Sequence, residues 1–467
     1  MFIGRDNELA ALNKLYDEES FQMVVMYGRR RIGKTTLISE FISDKPAILF
    51  TAQELNDPLN LALFSRKIYS FFNIPDTVGA FDNWTGAFEF IAVKAKEQRF
   101  ILAFDEFPYA VSANKSLKSI LQTAIDHNFT KTRLFLILCG SQVGFMESEV
   151  LGYKSPLFGR RTAQMKLDGF DYYESGKMLG GFSDEDKLKL YACVGGTPHY
   201  LSLVKSSESF EENIKRLFFS SSGYLFNEPM MLMQQELREP AMYNSIVSAI
   251  AGGATRLNEI AAKISEDSPK VSKYLQTLVS LQIVRKVYPF GENYQNSRKG
   301  IYRILDNCYG FWYRFVFPNI QEIEDGSGDI VAEAEVFGER LSSYIGKPPF
   351  ENICLQYLQR ANRSGKLPFA ATSFGTWWGN DPKAKAQSDI DVVAANRGSK
   401  QIVLGECKWR SGTSLNAAAD SLSSKDHLLP EYKDRYYYVF LRNRQKERRT
   451  AQGVTLVTTP DLFSVES

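Results

Sequence analysis

The chain is poor in cysteine. Its five cysteines, Cys139, Cys193, Cys308, Cys354 and Cys407, are scattered, odd in number and without metal-ligand spacing. A disulfide framework is therefore excluded, and the thiols read as reduced ones in a cytoplasmic protein. No apolar run approaches the roughly 20 residues that cross a bilayer. Nothing resembles a secretory signal either, so no membrane partner is expected. A charge surplus is also missing: 56 Lys+Arg stand against 54 Asp+Glu, a net charge of +2. Any nucleic-acid surface must then be a local patch. What remains is an ordinary globular composition, 44% hydrophobic and 24% charged, whose 33 Phe and 23 Tyr indicate well-filled cores. At 467 residues the chain is too long for one core, and about three domains are expected.

The segment Gly28-Arg29-Arg30-Arg31-Ile32-Gly33-Lys34-Thr35 fits G-x-x-x-x-G-K-[ST]. An apolar, β-prone run (21–27) precedes it and a helix-like segment beginning at Thr36 follows, the strand–loop–helix context that gives the pattern meaning. The glycines let backbone N–H groups turn towards phosphate oxygens, and the helix aims its positive end at them. Lys34 is expected to reach the β- and γ-phosphates and the Thr35 hydroxyl to ligate Mg²⁺. A structural turn rich in glycine is the bland alternative.

A hydrolytic site also needs a carboxylate for the metal and a group that orients water. The apolar strand 100–104 ends in Asp105-Glu106. Asp105 is expected to hold Mg²⁺ and Glu106 to polarise the attacking water. A third apolar strand, 134–138, runs into Cys139-Gly140-Ser141, which makes Ser141 a candidate γ-phosphate sensor. Arg160 and Arg161, in the turn after Ser155-Pro156, are candidates for stabilising charge on the transferring phosphoryl group, or else surface pairing residues.

The opening Phe2-Ile3-Gly4-Arg5-Asp6-Asn7-Glu8-Leu9, the loop, the acidic strand and Gly195-Gly196-Thr197-Pro198-His199 follow one another in an order that resembles the archaeal-type, AAA+- and STAND-related ATPases. The resemblance covers roughly the first half of the chain. It implies ATP as ligand and places the base and ribose against Ile3, Gly4, Pro198 and His199.

From about residue 240 the pattern changes. Helices are expected over 242–250, 256–264 and from Ser268-Pro269-Lys270, with Ser268 as N-cap and Pro269 at the first helical position. In the third, Val271, Tyr274, Leu275, Leu278 and Leu281 share a face while Lys270, Lys273 and Gln276 point outwards. Two strand-like pieces, 283–288 and 300–305, complete the order of a winged helix-turn-helix. Arg285, Lys286, Arg298, Lys299 and Arg303 against Glu292 form a local basic excess suited to phosphate contacts. Internal packing against the ATPase is the competing reading.

The polar stretch 324–328 is a candidate linker. Beyond it, a strand carrying Asp389 and Asp391 is followed after a turn by one carrying Glu406 and Lys408, which alternation puts on the same face. Glu351, at the start of a helix, can add one more carboxylate. Oxygen ligands of this kind suit Mg²⁺ or Mn²⁺, and a metal with a lysine can serve phosphodiester cleavage. The spacing D-x(14)-E-C-K resembles the PD-(D/E)xK nuclease signature at Glu351, Asp391, Glu406 and Lys408, with Ile390 where the signature has proline. A same-face ion pair is the plainer explanation. Arg442, Arg444, Lys446, Arg448 and Arg449 follow a strand over 436–441 and could border nucleic acid or simply be solvated.

The expected fold class is α/β: a P-loop parallel-sheet ATPase core (1–165), a helical lid (166–238), a winged helix-turn-helix (239–306), a linker (307–330) and a restriction-endonuclease-like domain (331–467). The expected function is ATP hydrolysis coupled to a DNA-directed, metal-dependent nuclease, with nucleotide-dependent self-association conceivable. The alternative is an ATP-switched DNA-binding or signalling regulator whose nuclease-like domain is inactive.

Overall fold

Apolar runs bounded by turns build the first unit, Met1–Gly169. Strands β1 (Gln22–Tyr27), β2 (Ala47–Thr51), β3 (Ile101–Asp105), β4 (Phe135–Gly140) and β5 (Ala163–Lys166) form an all-parallel sheet in the order β2-β3-β4-β1-β5. β1, β3 and β4 are buried along their whole length, which is why they read as continuous rather than alternating apolar segments. Side-chain alternation makes two cores. Met23, Val25, Leu102 and Phe104 pack against helices Asp57–Phe71 and Trp84–Glu97. Val24, Met26, Ile101 and Ala103 pack against helices Asp6–Asp17 and Lys34–Ile42. All five strands end at one edge, where the loops of such sheets carry ligands. This computed structural model describes residues 2–443 and 453–464, except 238, 296, 411 and 413.

The second unit runs from Phe170 to the end of the described chain. Its helices Tyr172–Met178, Asp184–Val194, Phe210–Phe218 and Tyr224–Glu236 occupy the region expected as a lid. Helices Pro240–Ala251, Leu257–Lys263 and Ser268–Ser280 follow, then an antiparallel hairpin of β6 (Val284–Val287) and β7 (Ile301–Ile304). The third helix is capped one residue earlier than expected. Asp267, not Ser268, accepts the Lys270 N–H through its side chain at 3.1 Å. Asp267 has the stronger acceptor for an orphan amide. Val271, Leu275 and Leu278 are buried, and Lys273 and Gln276 are exposed.

The expected linker is not a linker. Residues 307–331 are almost wholly helical and bury Cys308, Tyr309, Phe311, Trp312, Tyr313, Phe315, Val316 and Ile323. The polar stretch 324–328 bends this helix at Gly326 (φ 87°). Gly328 then packs so closely that a Cβ would lie 1.8 Å from the Phe219 carbonyl oxygen. Glycine here serves close approach, not flexibility.

The C-terminal sheet has the order β12-β11-β10-β9-β8, where β8 is Ser373–Asp381, β9 Ala386–Asn396, β10 Gln401–Lys408, β11 Asp434–Leu441 and β12 Thr455–Thr458. β8, β9 and β10 are antiparallel, and β10, β11 and β12 parallel. Helix Glu351–Arg363 covers one face through Ile353, Cys354 and Leu358, and helix Leu415–Ser424 covers the other through Leu415, Ala418 and Leu422. Between the pairs Gly375↔Val393 and Trp377↔Ile390, β9 advances three residues against two on β8. The resulting bulge falls at Asp391, and bulges re-aim side chains where they occur.

No boundary appears near residue 331. The Tyr172 hydroxyl donates to the Leu462 carbonyl at 2.7 Å, Arg360 pairs with Asp171 at 2.9 Å, and the Tyr344 hydroxyl donates to the Ala192 carbonyl at 3.2 Å. One hydrophobic core runs from Phe170 to Leu462.

Candidate functional site: a nucleotide-binding loop and a C-terminal acid–base cluster

The phosphate-binding loop leaves β1 at Gly28, where a Cβ would lie 2.4 Å from the Leu167 carbonyl oxygen. Glycine is thus required for the loop to pass beside the end of β5. Gly33 (φ 88°) turns the chain into helix Lys34–Ile42. The Lys34 ammonium is buried inside the loop, donating to the carbonyls of Gly28 and Arg29 at 2.9 Å each. Thr35 and Thr36 stand exposed in the first helical turn, and Ile32 is buried. Arg29 and Arg31 are half-buried, and Arg30 donates to the Tyr109 hydroxyl at 2.8 Å.

The acidic strand end meets this loop. Thr35 Oγ1 donates to Asp105 Oδ2 at 2.8 Å, and the Glu106 N–H donates to Asp105 Oδ1 at 3.0 Å. A hydroxyl and a carboxylate held together at a helix start are the hard oxygen donors that Mg²⁺ takes. Bound there, Mg²⁺ would neutralise phosphate charge. Glu106 occupies the left-handed region (φ 49°, ψ 41°), rare for a non-glycine residue. Its Oε2 accepts from Ser141 Oγ at 2.9 Å and from the Ser141 N–H at 3.3 Å. Ser141, read from sequence as a phosphate sensor, here holds the carboxylate that would orient water.

Arg160 and Arg161 require a correction. β5 pairs with β1 so that Ala163 lies level with Val24, which puts both arginines beside the start of β1. The loop lies a strand length away, roughly 17 Å at about 3.3 Å per residue. Arg160 is moreover held by both oxygens of Asp126, at 2.7 and 2.6 Å. Within one chain Arg160 is thus committed to Asp126, while the charge of Arg161 is felt at Tyr27.

Ile3 is half-buried and Gly4 buried with φ 71°. The residue that ties this segment to the loop is one the sequence did not single out, Arg5. Its guanidinium donates to the Ile32 carbonyl at 3.1 Å and to the Asp168 carbonyl, and pairs with Glu8 at 3.2 Å. In the second unit Pro198 opens helix Pro198–Leu201, and His199 Nε2 lies 2.9 Å from the Tyr224 hydroxyl.

The C-terminal acids are nearly buried: Glu351 is 4% exposed, Asp391 8% and Glu406 5%. Asp391 Oδ2 accepts the Cys407 N–H at 2.8 Å across the β9–β10 ladder. Burial first, then the charges of Glu351 and Glu406, push its carboxyl up to about 6. Glu406 carries Lys408 on one oxygen at 2.5 Å and Lys425 on the other at 3.2 Å. Burial is the largest influence and works against the Lys408 charge, but the Glu406 hydrogen bond together with the charges of Glu406 and Asp391 outweighs it and holds that ammonium above its ordinary range. Glu351 is held by Arg303 at 3.4 Å and by Lys347 at 3.0 Å, and Lys347 also reaches Asp389 at 3.0 Å. Acids and bases thus alternate. Among the described residues no three His, Cys, Asp or Glu side chains are gathered as a ligand set. The oxygen donors suit a hard cation in kind, while two of the three carboxylates are occupied by cationic side chains.

Lys347 and Lys425 also escaped the sequence reading, and Arg303, read there as part of a basic excess for phosphate, was not linked to Glu351. Lys347 stands four residues before Glu351, a spacing that carried a signal. Lys425 and the Arg303–Glu351 pairing join distant elements and had none. In the basic excess, Lys299 pairs with Glu292 and Arg303 with Glu351, leaving Arg285 and Arg298 exposed. Arg442 pairs with Glu185 at 2.6 Å, and Arg444, Lys446, Arg448 and Arg449 lie outside the described residues.

Comparison with known proteins bears on family and fold. Residues 2–204 match the family described as an ATPase domain predominantly from Archaea, and residues 312–421 match archaeal and bacterial proteins of unknown function. An uncharacterized protein of Methanocaldococcus jannaschii, MJECL04, is 31% identical over 412 residues, covering 88% of each chain. An uncharacterized ATP-binding protein of the same organism, MJ0423, is 42% identical over 45 residues, 10% of this chain and 76% of its own. The fold is similar to that of the Walker-type ATPase PABY2304 of Pyrococcus abyssi, with a TM-score of 0.52 and 20% identity over 67% of this chain and 96% of that one. The chain therefore belongs to the same family as the M. jannaschii protein MJECL04, and its first 204 residues carry the archaeal-type P-loop ATPase domain.

Proposed function

We propose that this chain is an ATP-driven switch whose second unit presents a metal-dependent, phosphodiester-cleaving site to DNA. In the first unit, Lys34 would exchange its carbonyl partners for phosphate oxygens, and Thr35 and Asp105 would hold Mg²⁺. Glu106, released from Ser141, would orient the attacking water. The observation that carries the nuclease reading is the nearly buried group of Glu351 on a helix, Asp391 on β9 and Glu406 on neighbouring β10, with Lys408 on Glu406. The charges of Glu351 and Glu406 act on Asp391, and a divalent cation would take the place of the lysines and arginine that now hold those two acids. Lys408 would then turn from Glu406 to the scissile phosphate. The three helices and hairpin of residues 240–304 have the order of a winged helix, with Lys273, Gln276 and Arg285 exposed for DNA.

One observation favours the alternative of an ATP-switched regulator with an inactive nuclease-like domain. Both oxygens of Glu406 are taken by lysines. The two readings separate in one experiment: cleavage of supercoiled and linear DNA with Mg²⁺ or Mn²⁺, with and without ATP, in the wild type, Lys408→Ala and Glu106→Gln. ATP-sensitive cutting lost in Lys408→Ala is expected. Absence of cutting beside intact ATP hydrolysis would leave the regulator.

A further inference from the structure

A half-open cavity of about 730 Å³ lies in the second unit between the β6–β7 hairpin and the helical segments leading to Pro349. Four cationic side chains line it, Arg303, Arg314, Arg340 and Lys347, against one acid, Asp306. That acid is already committed, accepting the Cys308 and Tyr309 N–H groups at the start of a helix at 2.8 and 3.3 Å. In a chain of net charge +2, so lopsided a wall is not a sampling of the average surface. Arg314 is exposed, and among the described residues no carboxylate pairs with it. Arg340 pairs with Glu335, and Arg303 and Lys347 share Glu351. Ile301, Ile304 and Pro348 add apolar wall. The volume is that of a small-ligand site, larger than a lone inorganic anion needs.

We propose that this cavity binds a nucleotide phosphate, either a free nucleotide or the phosphorylated end of a nucleic-acid strand. Arg314 and Arg340 hold the phosphate, and Arg303 and Lys347 turn to it from Glu351. Binding therefore frees the Glu351 carboxylate, whose charge acts on Asp391. This second step rests on the nuclease reading above; the binding step does not.

The test uses the full chain carrying Lys34→Ala, so that the phosphate loop does not report, without divalent metal. Fluorescence anisotropy follows a 3′-labelled thymidine dinucleotide and a 12-nucleotide single strand, each with a 5′-phosphate or a 5′-hydroxyl. The 5′-phosphorylated probes should bind. Adding Arg314→Ala or Arg340→Ala should weaken them about 10-fold or more, since each removes a charge-assisted contact. Removing the 5′-phosphate should do the same. Preference for the dinucleotide assigns a free nucleotide, and preference for the 12-mer a strand end. Equal binding with and without Arg314 and Arg340, or no binding of either probe, overturns the proposal. In the same protein, saturating dinucleotide should strengthen Mn²⁺ binding, and Glu351→Gln should abolish that gain; an unchanged Mn²⁺ affinity overturns the release step. DNA cleavage that persists without probe binding would sink the cavity and spare the nuclease. Probe binding without cleavage would do the reverse.

Discussion

A carboxyl raised to about 6 from an ordinary 3.8 binds its proton more tightly in the folded chain than in the unfolded one, and Asp391 is such a group. Its contribution to stability is complete below about pH 4 and is lost as pH rises through 6, a difference of about 2–3 kcal/mol. Asp391→Asn keeps an acceptor for the Cys407 N–H but has no charge to lose. The variant should unfold at higher denaturant than the wild type at pH 7, with the gap closing towards pH 4. Parallel denaturation curves at both pH values would refute this account of the acid cluster. At this scale the sequence was legible where neighbours in the chain are neighbours in chemistry. Lys34 and Thr35 announce themselves because a loop followed by a helix has local meaning. Arg5 and Lys425 did not, because their partners, the Ile32 carbonyl and Glu406, become neighbours only through folding.

Among elements, the strands were plain and the last helices were not. Buried parallel strands show as unbroken apolar runs, and β3 and β4 were read to within a residue or two. The stretch 324–328 misled because its acids and glycines have the composition of a linker. Composition says nothing of Gly328 lying under Phe219. Gly328→Ala tests that contact. A Cβ 1.8 Å from a backbone oxygen cannot be relieved by a rotamer change, and overpacking of this kind costs about 1–3 kcal/mol or more. The melting temperature should fall by several degrees; an unchanged one would restore the linker. The bulge at Asp391 was likewise invisible, since an extra residue in one strand is defined only by its partner.

For the whole molecule, the expected five-part division contracts to two units. Arg360 is 3% exposed and depends on Asp171 from the region read as a lid. Residues 331–467 produced alone would leave that guanidinium without its carboxylate and are expected to show no cooperative unfolding, whereas residues 170–467 should melt in one transition. A cooperative transition in the shorter piece would overturn the single-core description. The continuity of that core has a mechanical meaning. The lid helices and one face of the sheet bearing Glu406 share that interior, so they have one angular coordinate. Within this second unit a displacement of the one is a displacement of the other, like two hands fixed to one spindle.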